Sequence, residues 1–292
     1  MKKKFLVAGG DMRQLYLAEA LAETYDVYIT GFDRSVIQPQ KSVWIEGLSA
    51  MPERVDCVVL PIPASQDEVF VTTPFYRQSI PLDNIPSVMK NNGFVLGGRL
   101  SENFKALFDG FGIASADYLS REELSVLNAV PTAEGALQIA MEELPTTIFG
   151  SRVLILGMGR ISKSLIRILS GFSAEITVAA RKCSDIAWAE IFGCKGVNIG
   201  SIENILPHTD ILFNTVPASV LDGERLSLLN KECLVIDLAS KPGGVDFDTA
   251  SGMGIKAVWA LSLPGRVAPV SAGRIIASTI ENIVAERGTA HE

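Results

Sequence analysis

An apolar run, Val153-Leu154-Ile155-Leu156, enters the turn Gly157-Met158-Gly159 and then Arg160-Ile161. Helical spacing follows at Leu165, Ile166, Ile168 and Leu169. A second apolar run then closes as Ala179-Ala180-Arg181-Lys182, with Ser184 just beyond. Strand, glycine turn, helix and strand within about thirty residues form the unit that binds dinucleotides. Gly157 permits the tight turn. Gly159 lets a pyrophosphate approach a helix N-terminus, where backbone N–H groups lack partners within the helix. Ser162 stands where that fingerprint has its third glycine. A purely structural tight turn is the alternative, and the strand and helix on either side weigh against it.

The end of the second strand selects the nucleotide. NAD sites carry Asp or Glu there, bonded to the ribose 2′-hydroxyl. This chain has two cations and a hydroxyl instead, Arg181, Lys182 and Ser184. Arg can grip a 2′-phosphate with a planar fork of donors, so the expected cofactor is NADP. A solvated Arg-Lys pair is the plainer reading. Thr215, Val216 and Pro217 close a further strand on the same rim, past the glycine turn, where a nicotinamide ring would lie.

Other polar residues fall at the carboxyl ends of strands, where ligands of open α/β sheets sit. Asp11 and Arg13 follow an early glycine turn, GGDMRQ, and Ser65 and Arg99 end later strands of the first half. Asp11 would repel a pyrophosphate, so no dinucleotide is expected in that half. Lys241, with the Gly243-Gly244 amides, and Arg266, after Pro264-Gly265, end strands of the second half. The segment NAVPTAEG reads as the start of a helix reaching about residue 144, with Thr132 as its N-cap and Glu134 in its first turn. Asn128 and Thr132 then become candidate substrate contacts. Bland roles stand beside each: a local ion pair for Arg13, a turn for Ser65, a cap alone for Thr132. Only two histidines occur, His208 before a strand and His291 in the tail. Neither is placed as the general acid that reduction or oxidation of a hydroxy acid requires. No spacing of His and Cys suits a metal.

The elements that position these groups are strands near 5–8, 27–29, 55–60, 94–96 and 112–115, then 153–156, 176–180, 210–215, 233–237 and 256–259. Helical stretches alternate with them. The expected fold class is α/β: two doubly wound, Rossmann-like parallel-sheet domains linked by crossing helices. The expected domains are 1–130, a linker helix at 131–150, and the nucleotide domain at 151–271. A last helix, 272–292, is expected to pack back on the first domain. Hydrophobic residues at 48% and charged residues at 20% suit a globular protein. A net charge of −7 argues against nucleic acid as a partner. No apolar run approaches the roughly 20 residues of a membrane span. Lys2-Lys3-Lys4 precedes too short an apolar run for a signal peptide. Four cysteines without C-x-x-C spacing read as reduced thiols of a cytoplasmic protein.

Taken in order, GGDMRQ, TGFD, NAVPTAEG, LGMGR, AAR, IDLASKPGG and LPGRVAP resemble the A-subunit family of bacterial dipicolinate synthase, over about residues 5 to 285. The resemblance implies oxidation of dihydrodipicolinate to dipicolinate with NADP, in the mother cell of a spore-forming bacterium, alongside the flavoprotein-like B subunit of that synthase. It assigns no catalytic residue; Asp11, Arg13, Asn128, Thr132 and Lys241 are read from position and charge, as cations and hydrogen-bonding groups for a small dicarboxylate. Oxidising a dihydropyridine forms no alkoxide, which fits the missing histidine. Arg13 and Lys241 would form a clamp across both domains, with Asp11 orienting Arg13 or accepting a proton. Two other functions stay open, a dehydrogenase for another small carboxylate and a nucleotide-binding scaffold whose partner does the chemistry. The sequence is also compatible with a homo-oligomer.

Overall fold

The computed structural model describes residues 2–289. The described chain divides into two compact units: residues up to Asn128 with those from Ala268 onward, and Ala129–Val267. Each is built on apolar runs such as Phe5-Leu6-Val7-Ala8 and Val153-Leu154-Ile155-Leu156, all 0–2% exposed. Runs buried on both faces are what a parallel sheet covered by helices demands.

The first unit contains β1 (Lys4–Ala8), α1 (Met12–Leu21), β2 (Asp26–Thr30), β3 (Val43–Trp44), β4 (Val55–Val59), β5 (Met89–Gly97), α2 (Glu102–Gly110) and β6 (Ala114–Asp117). Helix α3 (Glu122–Glu143) leads into the second unit. There follow β7 (Arg152–Leu156), α4 (Arg160–Ser170), β8 (Glu175–Ala180), α5 (Cys183–Ile191), β9 (Lys195–Asn198), β10 (Ile211–Asn214), α6 (Gly223–Ser227), β11 (Leu234–Asp237), α7 (Phe247–Gly252), β12 (Lys256–Trp259) and α8 (Leu263–Val267). Helix α9 (Pro269–Thr289) belongs to the first unit, where Ile276, Ile280, Ile283 and Val284 join the core beneath α1.

Both sheets have six parallel strands, in the orders β3-β2-β1-β4-β5-β6 and β12-β11-β10-β7-β8-β9. These are two copies of the doubly wound order, each reversing beside its first strand. In the second unit the reversal lies between β7 and β10, so the ends of those strands bound the crevice where a ligand belongs. The edge strands β3 and β9 escape the periodicity reading because they are two and four residues long and carry few buried side chains.

Three expected boundaries differ. No helix starts at Thr132: α3 begins ten residues earlier and carries Pro131 inside it. Its buried positions Leu124, Ala129, Ala133, Ala136, Leu137 and Ala140 keep helical spacing on both sides of the proline, so packing overrides the usual stop. Asn128 and Thr132 therefore lie within the helix, and the case for them as helix-start ligands falls. Pro264-Gly265 is part of the short helix α8 rather than an open turn, and the last helix begins at Pro269.

Candidate active site

The turn after β7 has the geometry a dinucleotide needs. Gly157 sits at φ +97, and a Cβ there would lie 2.6 Å from the Thr215 hydroxyl oxygen. Only glycine fits both constraints. Gly159 is the N-cap of α4, and no side chain caps the first turn. A Cβ built on Gly159 would meet nothing within 4 Å, so open space lies over the start of the helix. Arg160 is exposed beside it and Ile161 half-buried. Ser162 is fully buried and lies 3.0 Å from the Thr215 hydroxyl, which donates to the Leu156 carbonyl at 2.8 Å. The serine that replaces the third glycine thus ties α4 to the ends of β7 and β10.

Strand β8 ends at Ala180, and the next two residues, Arg181 and Lys182, are exposed. Lys182 is the N-cap of α5 and its side chain makes no capping bond; Ser184 is exposed in the first turn. Asp185 adds an acidic residue to that turn. The residues fit a nicotinamide dinucleotide. Gly157 and Gly159 would admit the pyrophosphate, Arg160 and Ile161 would border it, and Arg181, Lys182 and Ser184 would lie beside the adenosine ribose.

The ends of β10 and β11 carry a polar network that sequence reading missed. Asp237, wholly buried, accepts from Asn214 Nδ2 at 2.8 Å, the Ala239 amide at 3.0 Å and the Gly244 amide at 2.8 Å. Asn214 also clasps Val216, donating to its carbonyl at 3.0 Å and accepting from its amide at 3.1 Å. The Thr215-Val216-Pro217 loop is therefore held by β10 itself. The Gly244 amide is taken by Asp237 and that of Gly243 bonds the Ser240 carbonyl at 2.9 Å, so neither is the ligand donor expected from sequence. Ser240, Lys241 and Pro242 form the exposed tip between them. The available signal was a polar residue closing each of two otherwise apolar strands, FN and ID.

On the first unit, Asp11 caps α1 and takes Arg13 in a bidentate grip, with Nη2 2.7 Å and Nε 2.9 Å from its oxygens. The guanidinium is mostly buried and its charge is matched locally. Gln14, beside it, donates to Tyr118 and to the Leu60 carbonyl, and burial pushes the Tyr118 phenol up. Ser65 bonds Asp67 in a turn, and Arg99 is exposed with a left-handed φ of 61. The glycine turn of this unit is filled by its own chain. The Gly9 amide donates to the Thr30 carbonyl and the Gly10 amide to that of Thr72 at 2.8 Å. His208 ends a short helical turn ahead of β10, at the amino end of the sheet, and His291 lies outside the described residues. Arg266 is in α8. Among the described residues, no three His, Cys, Asp or Glu are grouped to hold a metal, and no helix is long and apolar enough to cross a membrane.

Sheet order, glycine turn and open helix start define the second unit as a Rossmann-type dinucleotide-binding domain. Residues 130–241 match the family model for the NAD-binding domain of D-isomer specific 2-hydroxyacid dehydrogenases, which makes the cofactor a nicotinamide and the chain an oxidoreductase-type protein. Residues 4–119 match the model for the N-terminal domain of the dipicolinate synthase A subunit. The chain is 30% identical to the dipicolinate synthase A subunit of Bacillus subtilis (strain 168) over 290 residues, 97% of this chain and 96% of the relative. It superposes on the crystal structure of the Bacillus subtilis dipicolinate synthase A chain with a TM-score of 0.88, covering 100% of this chain and 98% of that one at 30% identity. For the Bacillus halodurans A-subunit structure the TM-score is 0.87 at 30% identity, covering 97% and 98%. The chain belongs to the A-subunit family of dipicolinate synthase.

Proposed function

We propose that this chain oxidises dihydrodipicolinate to dipicolinate with NADP, working with the B subunit of the synthase in the cytoplasm of the mother cell of a sporulating bacterium. One observation carries the cofactor choice: β8 ends in exposed Arg181 and Lys182 at the start of α5, where an NAD site would have a carboxylate. Family membership supports the substrate, and the relatives' designation as one subunit of a synthase supports the partner. Bound on unit two, the nicotinamide would take up the hydrogen and electron pair of one ring C–H bond, while a second ring hydrogen leaves as a proton.

The chain's own work is then to bind and orient. The product ring is aromatic and no alkoxide forms, so a histidine acid is not required. The demand is for cations to hold two carboxylates in a reactive pose. Lys241, on an exposed tip at the end of β11, is the proposed cation on the second unit. Arg13, the other candidate cation, is already paired with Asp11 on the first unit. Titration of the apoprotein with NADPH and NADH tests the cofactor claim, with NADPH expected to bind more tightly. Equal affinities, unchanged in Arg181→Ala, would refute it.

A second reading has one observation in its favour. Arg13 is already matched by Asp11, as in a scaffold whose partner carries out the chemistry. Dipicolinate formed by the B subunit in the absence of this chain would select that reading.

A further inference from the structure

We infer that Asp237 is the positioning residue of the site: it sets the loop bearing Lys241 and ties it to the loop that ends β10, without touching a ligand itself. The inference rests on the reading of the second unit as the nicotinamide site and of Lys241 as a substrate cation.

Asp237 closes β11 and is fully buried, and its partners are all N–H donors: Asn214 Nδ2, Ala239 N and Gly244 N. A carboxylate in that position is costly to bury, and an apolar residue would end the strand more cheaply. What the carboxylate supplies is acceptors alone. Asparagine has the same shape but would turn its own NH₂ toward at least one of the three donors.

The consequence lies in what those donors belong to. Ala239 and Gly244 flank Ser240-Lys241-Pro242-Gly243, so one side chain pins both feet of the loop and leaves Lys241 near its exposed tip. Trp259 steadies the same loop. Its Nε1 donates to the Ala239 carbonyl at 3.1 Å, and its ring would lie 3.2 Å from a Cβ on Gly243. The third donor, Asn214, holds both the amide and the carbonyl of Val216. Asp237 therefore joins the 238–244 loop to the 215–217 loop through one pair of oxygens. The grip proposed for the 2′-phosphate, at 181–184, does not pass through it, whereas the turn at Gly157 packs on Thr215.

The test compares wild type, Asp237→Asn, Lys241→Ala and the double variant. In the apoprotein, hydrogen exchange in Asp237→Asn should quicken at 214–217 and 238–244 and stay unchanged at 181–184. The NADPH dissociation constant should remain within about threefold of wild type, because the proposed 2′-phosphate grip is intact. With NADP, enzymatically generated dihydrodipicolinate and the B subunit, kcat/KM should fall about 10- to 100-fold. Lys241→Ala should cost at least about tenfold in wild type but less than about threefold in the Asp237→Asn background, since the lysine is already misplaced there. If Asp237→Asn does not fold, Asn214→Ser removes the bond to Asp237 and the clasp on Val216, leaves Ala239 and Gly244 on the carboxylate, and is tested for the same coupling. Additive losses, or unchanged loop exchange with wild-type turnover, would overturn the inference while leaving the proposed function standing. A wild-type chain that neither binds NADPH nor supports oxidation would overturn both.

Discussion

At the scale of single residues, the site depends on a few side chains at strand ends. Loss of Arg181 removes one charge-assisted contact to the proposed 2′-phosphate, about 1.5–3 kcal/mol in a sheltered site and less on this exposed rim. Arg181→Ala should weaken NADPH about tenfold and leave NADH nearly unaffected, measured by fluorescence titration. Gly157→Ala should fail for a different reason. Its φ of +97 and the 2.6 Å approach to Thr215 would force the turn apart, and both nucleotides should lose affinity together. Acid sensitivity belongs to this scale too. The Arg152 guanidinium beside Asp210 holds that carboxyl below its ordinary value, with bonds of 2.7 and 3.1 Å. A lowered folded-state value means the contribution is present above about pH 4 and lost as pH falls through the folded value. Asp210→Asn should flatten that part of the acid limb of a Tm-against-pH curve. The sequence showed the cations at the rim because charge at a strand end is visible in one dimension. It did not show that the Gly244 amide is already bound, because the acceptor stands seven positions away on another element.

At the scale of elements, the strands and the glycine turn were legible, since buried parallel strands are continuous apolar runs bounded by turn residues. The start of helix α3 was not legible because Thr132 followed by Glu134 reads as a cap and first turn, and only the buried positions on both sides of Pro131 show that the helix runs through. The last helix was expected on the first domain, but the backbone approach of α9 to α1 at Gly273 was not legible. A Cβ on Gly273 would lie 2.6 Å from the Arg13 carbonyl oxygen and 2.9 Å from the Leu17 amide nitrogen, both backbone. Backbone cannot yield as a flexible side chain can. Gly273→Val should therefore destabilise the first unit by roughly 1–3 kcal/mol in urea unfolding, despite the better helix former at that position. A midpoint equal to wild type would show that the helices can separate at no cost.

At the scale of the molecule, the chain repeats one sheet order twice, yet only one copy keeps a glycine turn open to a nucleotide. In the first unit Asp11 caps the helix start, and the Gly10 amide is occupied by the Thr72 carbonyl. Calorimetric titration should accordingly find one NADPH per chain, and a stoichiometry of two would contradict this assignment. Half of this contrast was readable in sequence, in Asp11 among the glycines. The other half came from residues 71–73 folding over the turn, a long-range contact that no local pattern announces.

The proposed NADP-linked oxidation is tested most directly by supplying enzymatically generated dihydrodipicolinate and NADP to the purified chain, to the B subunit, and to both together, and following dipicolinate. Dipicolinate should form only where this chain is present, with NADPH appearing in equal amount, and Lys241→Ala should lower the rate at saturating NADP. Formation of dipicolinate at the full rate when only the B subunit is present would contradict it.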